Sequence, residues 1–335
     1  MRGDLLIDLF RSHLQNDDKK FQEVAQEIIE DEERKKHNLL AKNLKKTLSS
    51  SQFNSCIPNA FSKRYKTNIP LPRDSEKGFP LFEIKEYYFN LNDLILNDEA
   101  KEQINNLLEE VKASKILNTY GLKHKQKILF CGPPGTGKTL SSKVISSILG
   151  YPLLYIKFDS IVSSYLGETA TNLRKVFDFI EEGEWVVLFD EFDIIGKKRD
   201  DPYEHGEIKR VVNNFMQMMD SYEGDGLLIA ATNHQYLLDS AIWRRFDDII
   251  YFDMPNVTRR ERLFDKYLRV LKREDSIDLQ YLAQCAEGFS PADIASTCEE
   301  ALRKSIIGGN NEISKKNIDW AINHQLRKKK IMEMN

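Results

Sequence analysis

The sequence predicts an α/β fold in which a parallel sheet is covered by helices on both faces. Between residues 91 and 255, short apolar runs alternate with amphipathic helical patterns, and a glycine-rich segment joins the first run to a helix. Only helical patterns follow residue 256. Parallel strands buried on both faces have continuous apolar sequences, as these runs do. We therefore expect an α/β domain followed by a small all-helical lid.

Five apolar runs are the predicted strands of this sheet, and each is short enough for a buried strand. They are residues 127–131, 153–156, 185–189, 227–231 and 249–252. The helical patterns predict the intervening helices, and the lid helices are expected at 258–272, 279–286, 291–307 and 314–327. These patterns place the large α/β domain at 91–255 and the lid at 256–335.

The first 90 residues predict two further segments. Residues 1–48 read as three short helices, one of them with an apolar stripe formed by Phe21, Val24, Ala25, Ile28 and Ile29. So small a bundle is marginal alone, and we expect it to serve as a partner or oligomerisation module. A solvated helical extension without a binding role is the alternative. Residues 49–90 lose periodicity and read as a linker and packing segment.

Composition excludes several classes of function. The 335 residues carry 49 basic and 52 acidic side chains, a net charge of −3, so no cationic field favours nucleic acid. The four cysteines are scattered without metal-ligand spacing, which is typical of reduced thiols. No apolar run reaches the roughly 18 residues of a membrane span. We therefore expect a cytoplasmic protein that does not bind a membrane.

The glycine-rich segment has the spacing G-x-x-x-x-G-K-[ST] between a strand and a helix. It consists of Gly132, Pro133, Pro134, Gly135, Thr136, Gly137, Lys138 and Thr139, and Leu140 follows it at the predicted site. Backbone N–H groups in such a loop form an anion nest at a helix N-terminus. Lys138 would reach the β- and γ-phosphates, and Thr139 would ligate Mg²⁺. The sequence thus predicts binding of ATP and Mg²⁺, with a chance glycine-rich turn as the alternative.

Polar residues end the third and fourth predicted strands, at the edge where a parallel sheet binds its ligand. Asp190 would hold Mg²⁺ together with Thr139, and Glu191 would orient and polarise the attacking water. The amide of Asn233 would bind the γ-phosphate or that water. The alternatives are solvated acids at a strand end and an asparagine in an ordinary turn.

Two adjacent arginines, Arg244 and Arg245, stand between the fourth and fifth predicted strands. They cannot easily both reach the phosphates of their own loop, but they can reach those of a neighbouring subunit. An arginine finger supplied in this way contributes about 10³ to 10⁵ in rate. The alternative is a pair of surface arginines bound to Asp247 and Asp248.

From about Leu91 to Arg327 the chain resembles a single AAA module of the AAA+ ATPases, which are P-loop NTPases. Four ordered motifs carry the resemblance: Gly-Pro-Pro-Gly-Thr-Gly-Lys-Thr, Phe-Asp-Glu-Phe-Asp, Ala-Thr-Asn and Arg-Arg-Phe-Asp. The resemblance implies ATP hydrolysis in a homo-oligomer, a hexameric ring in the family. It assigns Lys138 to Walker A, Asp190 and Glu191 to Walker B, Asn233 to sensor 1, and Arg244 and Arg245 to trans arginine fingers.

Two finer resemblances concern the branch of the family. The stretches 238–246 and 288–294 are similar to the AAA clade of katanin, spastin and the ATPase that disassembles ESCRT filaments. Size and layout also resemble stand-alone bacterial AAA ATPases encoded beside subtilisin-like peptidases. This second resemblance implies a separate peptidase as a possible partner, bound through the N-terminal helices.

The segment Tyr165, Leu166 and Gly167 resembles the aromatic-aliphatic-glycine loop that lines the pore of polypeptide-threading relatives. A flat ring followed by an aliphatic group can grip an extended chain of almost any sequence by burial. The resemblance implies an ATP-driven protein remodeller with a polypeptide substrate. Two alternatives remain: a nucleotide-dependent regulatory subunit that switches a partner without threading, and a nucleic-acid motor.

Overall fold

The computed structural model describes Val24 and residues 71–74, 78–157, 166–192, 205–238 and 240–333. The chain divides into two compact units, residues 1–63 and 64–335. Of the predicted N-terminal helices only Val24 is described; it is helical and buried, and the remaining residues of 1–48 lie outside the described part. The structural description below concerns the second unit.

Strands and helices alternate between residues 91 and 255, as predicted. The described strands are β1 (Glu83–Lys85), β2 (Lys127–Cys131), β3 (Leu153–Lys157), β4 (Val186–Asp190), β5 (Leu227–Thr232), β6 (Asp248–Tyr251), β7 (Lys272–Arg273) and β8 (Glu312–Ile313). The described α-helices are α1 (Asp98–Lys112), α2 (Ser114–Thr119), α3 (Lys138–Leu149), α4 (Leu166–Ile180), α5 (His205–Ser221), α6 (Ser240–Trp243), α7 (Val257–Tyr267), α8 (Leu279–Cys285), α9 (Pro291–Ile307) and α10 (Lys315–Glu333). Short 3₁₀ turns occupy Leu91–Asp93, Gln235–Leu237 and Leu268–Val270.

The central sheet has the strand order β1-β3-β4-β5-β2-β6. Its five strands β2 to β6 run parallel and match the five predicted ones, which confirms the α/β fold class. The sheet has a sixth strand at its edge, because β1 pairs antiparallel with β3. The sequence reads this part of 49–90 only as a packing segment, either a strand or irregular, because three residues are too short for a periodic signal that would place a strand in the sheet.

Each face of the sheet carries its own apolar core. Val187 and Phe189 of β4 face one cluster, which includes Phe177 of α4 and Phe215 of α5. The alternating residues of the same strand face a second cluster, which includes residues of α1 and α3. Because both faces are covered, strands β2, β4 and β5 are buried along almost their whole length.

The lid is a helical unit with a separate core. Helices α7 to α10 enclose buried apolar side chains that include Phe264, Leu282, Phe289 and Ile318. The predicted helical lid is confirmed, with one addition: β7 and β8 form a parallel pair of two residues each. Such a pair depends on backbone hydrogen bonding between segments about 40 residues apart, and no local pattern predicts it.

Candidate functional site

The phosphate loop connects β2 to α3 at the carboxyl edge of the sheet. Gly132 has φ 142°, and a Cβ there would lie 2.1 Å from the carbonyl oxygen of Phe252. Gly135 has φ 76°, and its Cβ would lie 2.7 Å from Oγ of Ser290. A side chain at either position would meet both backbone strain and a steric clash, so the loop conformation requires glycine there.

Lys138 lies inside this loop in the structure. Its Nζ donates hydrogen bonds to the carbonyl oxygens of Gly132, at 2.7 Å, and Pro133, at 2.8 Å. The Thr136 hydroxyl donates to the same Pro133 carbonyl at 2.8 Å. Lys138 is 7% exposed although it carries a charge. The loop therefore already encloses the cation that we predict to bind phosphate.

Asp190 is the last residue of β4, and three donors hold its carboxylate. Oδ2 accepts hydrogen bonds from Thr139 Oγ1 and from the Tyr155 hydroxyl, each at 3.1 Å. Oδ1 accepts from the Glu191 N–H at 3.0 Å. A hydroxyl and a carboxylate in contact at this edge are the hard oxygen donors that Mg²⁺ prefers. Thr139 and Asp190 therefore fit the predicted metal site.

Tyr155 stays a hydrogen-bond donor in this arrangement. Burial, reinforced by the neighbouring Asp190 carboxylate, raises the pKa of the Tyr155 hydroxyl above its ordinary value. The proton therefore stays on the phenol at any physiological pH.

Glu191 directly follows β4 and has an unusual backbone conformation. Its φ is 58°, in the left-handed region that side chains other than glycine seldom adopt. The side chain is exposed at the edge of the sheet. Strained backbone of this kind is common at active sites, where the surrounding structure holds a side chain in place.

Asn233 lies at the same edge, beside the phosphate loop. The final residue of β5, Thr232, is in register with Cys131, the last residue before the loop. The Phe192 N–H donates to the carbonyl oxygen of Ala231 at 3.0 Å, which fastens the segment after Glu191 to β5. The structure thus brings Lys138, Thr139, Asp190, Glu191 and Asn233 to one edge of the sheet.

The two arginines lie at the opposite edge. Arg244 and Arg245 precede β6, which runs parallel to β2, so they lie near the amino ends of these strands. Arg245 Nε is 2.9 Å from Oδ2 of Asp220, at the end of α5, whereas Arg244 is exposed. The structure therefore does not bring the arginines to the phosphate loop of their own chain.

The carboxylates proposed as alternative arginine partners have other contacts. Asp247 Oδ2 accepts from the backbone N–H groups of Gln126 and Lys127 at 2.8 and 2.9 Å. Asp248 forms an ion pair with Lys125 at 2.7 Å. These contacts join the start of β6 to the start of β2.

The lid touches the phosphate loop through the start of α9. Ser290 and Asp293 form a capping box there, and the Ala292 N–H donates to the Gly135 carbonyl at 3.1 Å. The side chains of Gln325 and Lys329 in α10 bind the Asp293 carboxylate at 2.7 and 3.0 Å. Burial opposes ionisation of Asp293, but the Ser290 hydrogen bonds and the Lys329 contact outweigh it and hold the pKa of Asp293 below its ordinary value.

The predicted pore segment is described only in part. Tyr165 lies outside the described residues, and so does the rest of the segment before it from residue 158. Leu166 and Gly167 are the first two residues of α4.

Sequence reasoning missed two parts of the site. Tyr155 lies in an apolar run and belongs to none of the motifs. Its polar hydroxyl within that run is the only sequence signal that could have indicated a role. Gln325 and Lys329 lie more than 180 residues from the phosphate loop, and no sequence pattern connects them to it.

Comparison with known proteins identifies the family. The model of the ATPase family associated with various cellular activities (AAA) matches residues 128–254, and that of the AAA+ lid domain matches residues 276–320. The uncharacterized AAA family ATPase y4kL of Sinorhizobium fredii is 36% identical over 329 residues, which cover 98% of this chain and 96% of the relative. The chain belongs to the AAA family of ATPases. The predicted ATPase activity and fold are thereby confirmed.

Two better-described kinds of AAA ATPase are also similar to this one. The proteasome-activating nucleotidase of Saccharolobus solfataricus is 34% identical over 245 residues, 70% of this chain and 62% of its own. The ATP-dependent zinc metalloprotease FtsH of Parabacteroides distasonis is 30% identical over 232 residues, 67% of this chain and 34% of its own. This AAA ATPase thus spans less than two thirds of either relative. No helix in the described ranges is long and apolar enough to cross a membrane.

Proposed function

We propose that this AAA ATPase couples ATP hydrolysis, in a ring of identical subunits, to the remodelling, unfolding or threading of protein substrates. The observation that supports this proposal is the separation of the predicted catalytic residues between two edges of the sheet, because arginines at the amino edge would reach the nucleotide of a neighbouring subunit rather than their own. The names of two relatives, a nucleotidase that activates a proteasome and an ATP-dependent metalloprotease, support a polypeptide substrate.

Within one subunit, the carboxyl edge would bind the nucleotide. The loop from Gly132 to Thr139, with Leu140, would enclose the phosphates, and Lys138 would leave its carbonyl contacts for the β- and γ-phosphates. Thr139 and Asp190 would hold Mg²⁺, which supplies charge neutralisation at the transferred phosphoryl group. Glu191 would orient and polarise the attacking water, and Asn233 would bind that water or the γ-phosphate.

Arg244 and Arg245 would complete the site of the next subunit. The five residues of β2 span about 15 Å between the amino edge, where the arginines lie, and the phosphate loop at the other end. An arginine side chain does not cover that distance across a packed sheet. A neighbour's nucleotide is the reachable phosphate, which supports the trans arginine fingers and the hexameric ring that the family resemblance implies.

The remaining parts of the proposal concern substrate and partners. Tyr165, Leu166 and Gly167 would line the central pore and grip polypeptide. Residues 1–48 would recruit a partner, for instance a peptidase. The linker and packing segment at 49–90 would connect this module to the ATPase domain at 91–255, which the lid at 256–335 follows. Membership of the katanin and spastin clade and a cytoplasmic location stay predictions of the sequence.

Threading is tested by replacing the pore tyrosine. We expect Tyr165→Ala to retain basal ATP hydrolysis and to lose unfolding of a fluorescent protein that carries an unstructured tail. The matched control is Tyr88→Ala, which removes a tyrosine that is 65% exposed in the segment before α1. Unfolding at the wild-type rate by the Tyr165 variant would contradict threading. If the wild-type protein activates a partner peptidase but unfolds no substrate, the regulatory alternative is favoured. If DNA or RNA, but no polypeptide, stimulates its ATP hydrolysis, a nucleic-acid motor is favoured.

A further inference from the structure

Tyr155 stands among the apolar residues Leu153, Leu154 and Ile156 of β3, and its hydroxyl reaches the carboxyl edge of the sheet. We propose that Tyr155 is a positioning residue for the magnesium site, where its hydroxyl holds the Asp190 carboxylate in contact with Thr139. The inference rests on the proposed role of Thr139 and Asp190 in binding Mg²⁺. No motif of the family resemblance above contains this tyrosine.

The register of the sheet explains why a tyrosine fits here. Tyr155 is paired with Leu188 of β4, and Asp190 is two residues further along the same strand. Residues two apart share one face, so Asp190 is offset from Tyr155 by about 6.6 Å along the sheet. The phenol ring covers this offset while it packs on the apolar cluster under α3, and the hydroxyl meets Oδ2 at 3.1 Å.

The Tyr155 hydroxyl differs from the other donors to Asp190 in what holds it in place. Thr139 Oγ1 donates to the same oxygen, and a threonine that ligates Mg²⁺ through a lone pair can keep donating this proton, so its position depends on the metal as well as on Asp190. The Glu191 N–H binds Oδ1, the other carboxylate oxygen. Tyr155 is thus a second side-chain donor to Oδ2, and its position depends on its packing in the sheet rather than on the metal.

The test is the Mg²⁺ dependence of Tyr155→Phe in the full-length protein. This variant keeps the ring and removes only the hydroxyl. We expect the Mg²⁺ concentration for half-maximal ATP hydrolysis to rise about ten-fold, the lower end of the usual effect of losing an outer-shell partner of a metal ligand. The affinity for a fluorescent ATP analogue in EDTA should stay unchanged, because the phosphate loop is intact.

The matched control is Tyr222→Phe. Tyr222 is 4% exposed, and its hydroxyl accepts a hydrogen bond from the Gly226 N–H just before β5, away from the nucleotide. This control should lose stability without any change in Mg²⁺ dependence. If Tyr155→Phe also loses only stability, or changes nothing, the proposal is overturned.

A third variant separates this inference from the proposed function. Thr139→Ala removes the predicted metal ligand itself. If Thr139→Ala raises the Mg²⁺ requirement and Tyr155→Phe does not, the role of Tyr155 is wrong and the magnesium site stands. If neither variant changes the Mg²⁺ requirement, the assignment of Thr139 and Asp190 to Mg²⁺ is itself wrong.

Discussion

At the scale of the residue, Glu191 combines a predicted catalytic role with a strained backbone. Its φ of 58° costs a residue with a Cβ about 1 to 2 kcal/mol relative to the right-handed conformation. Contacts on both sides hold it there: its N–H binds Asp190, and the next residue, Phe192, binds Ala231 of β5. A conformation maintained against this cost is consistent with a side chain aimed for catalysis.

The strain is measurable with two inactive variants. Glu191→Gly and Glu191→Ala both remove the carboxylate, so both should bind ATP and fail to hydrolyse it. Glycine adopts positive φ without penalty. We therefore expect the glycine variant to be more stable, with a free energy of unfolding about 1 kcal/mol larger than that of the alanine variant. Urea denaturation without nucleotide provides the comparison. Equal stability would mean that Glu191 is not strained in solution, and residual turnover would count against its catalytic role.

At the scale of the element, α10 supports the contact between the lid and the phosphate loop. Lys329 contacts the carbonyl of Gly288 and the Phe289 ring, just before α9, and Asp293 in its first turn. The start of α9 in turn binds Gly135 of the loop. The last helix of the described chain is thereby connected to the nucleotide site through two steps of direct contact.

This connection predicts different effects for two adjacent lysines. Lys329→Ala should weaken binding of a fluorescent ATP analogue about two- to five-fold, since it removes a partly exposed ion pair worth up to about 1 kcal/mol. Lys328→Ala is the control, because Lys328 pairs with Glu300 at 2.7 Å, between α10 and α9 but away from the loop. Equal affinities for the two variants would show that α10 does not support the nucleotide site.

At the scale of the whole molecule, the direction of the parallel strands decides which residues can act together. The phosphate loop, Asp190 and Asn233 follow carboxyl ends, whereas the arginines precede an amino end and Arg245 is bound there to Asp220. A single subunit thus contains every predicted catalytic residue without assembling them into one site. Hydrolysis should depend on assembly.

Mixed oligomers test this dependence. Arg244→Ala and Glu191→Gln proteins should each be nearly inactive, the first by the roughly 10³-fold or larger effect of a lost arginine finger. Their mixture should regain part of the ATPase rate, because an intact Glu191 of one subunit meets an intact Arg244 of the next. The control is a mixture of the Arg244→Ala protein with a variant that carries both Arg244→Ala and Glu191→Gln. It should stay inactive because neither chain has Arg244. No recovery in oligomers shown to contain both chains would refute action in trans.

Much of the fold followed from local patterns. Continuous apolar runs predicted the five parallel strands because both of their faces are buried, and the glycine spacing predicted the phosphate loop because Gly132 and Gly135 permit no side chain. The order of strands, loops and acids along the chain also predicted that Asp190 and Asn233 reach the ligand edge. These features depend on residues close in sequence, where periodicity and spacing carry the information.

The sequence by itself determined the fold class, the phosphate loop and the identity of the predicted catalytic side chains. Only the tertiary structure decided that β1 is the edge strand beside β3, that the Tyr155 hydroxyl donates to Asp190, and that Lys329 contacts Asp293 near the phosphate loop. It also decided that the arginines lie across the sheet from the nucleotide loop of their own subunit. Each of these depends on strand register or on packing between distant segments, which no local pattern of residues encodes.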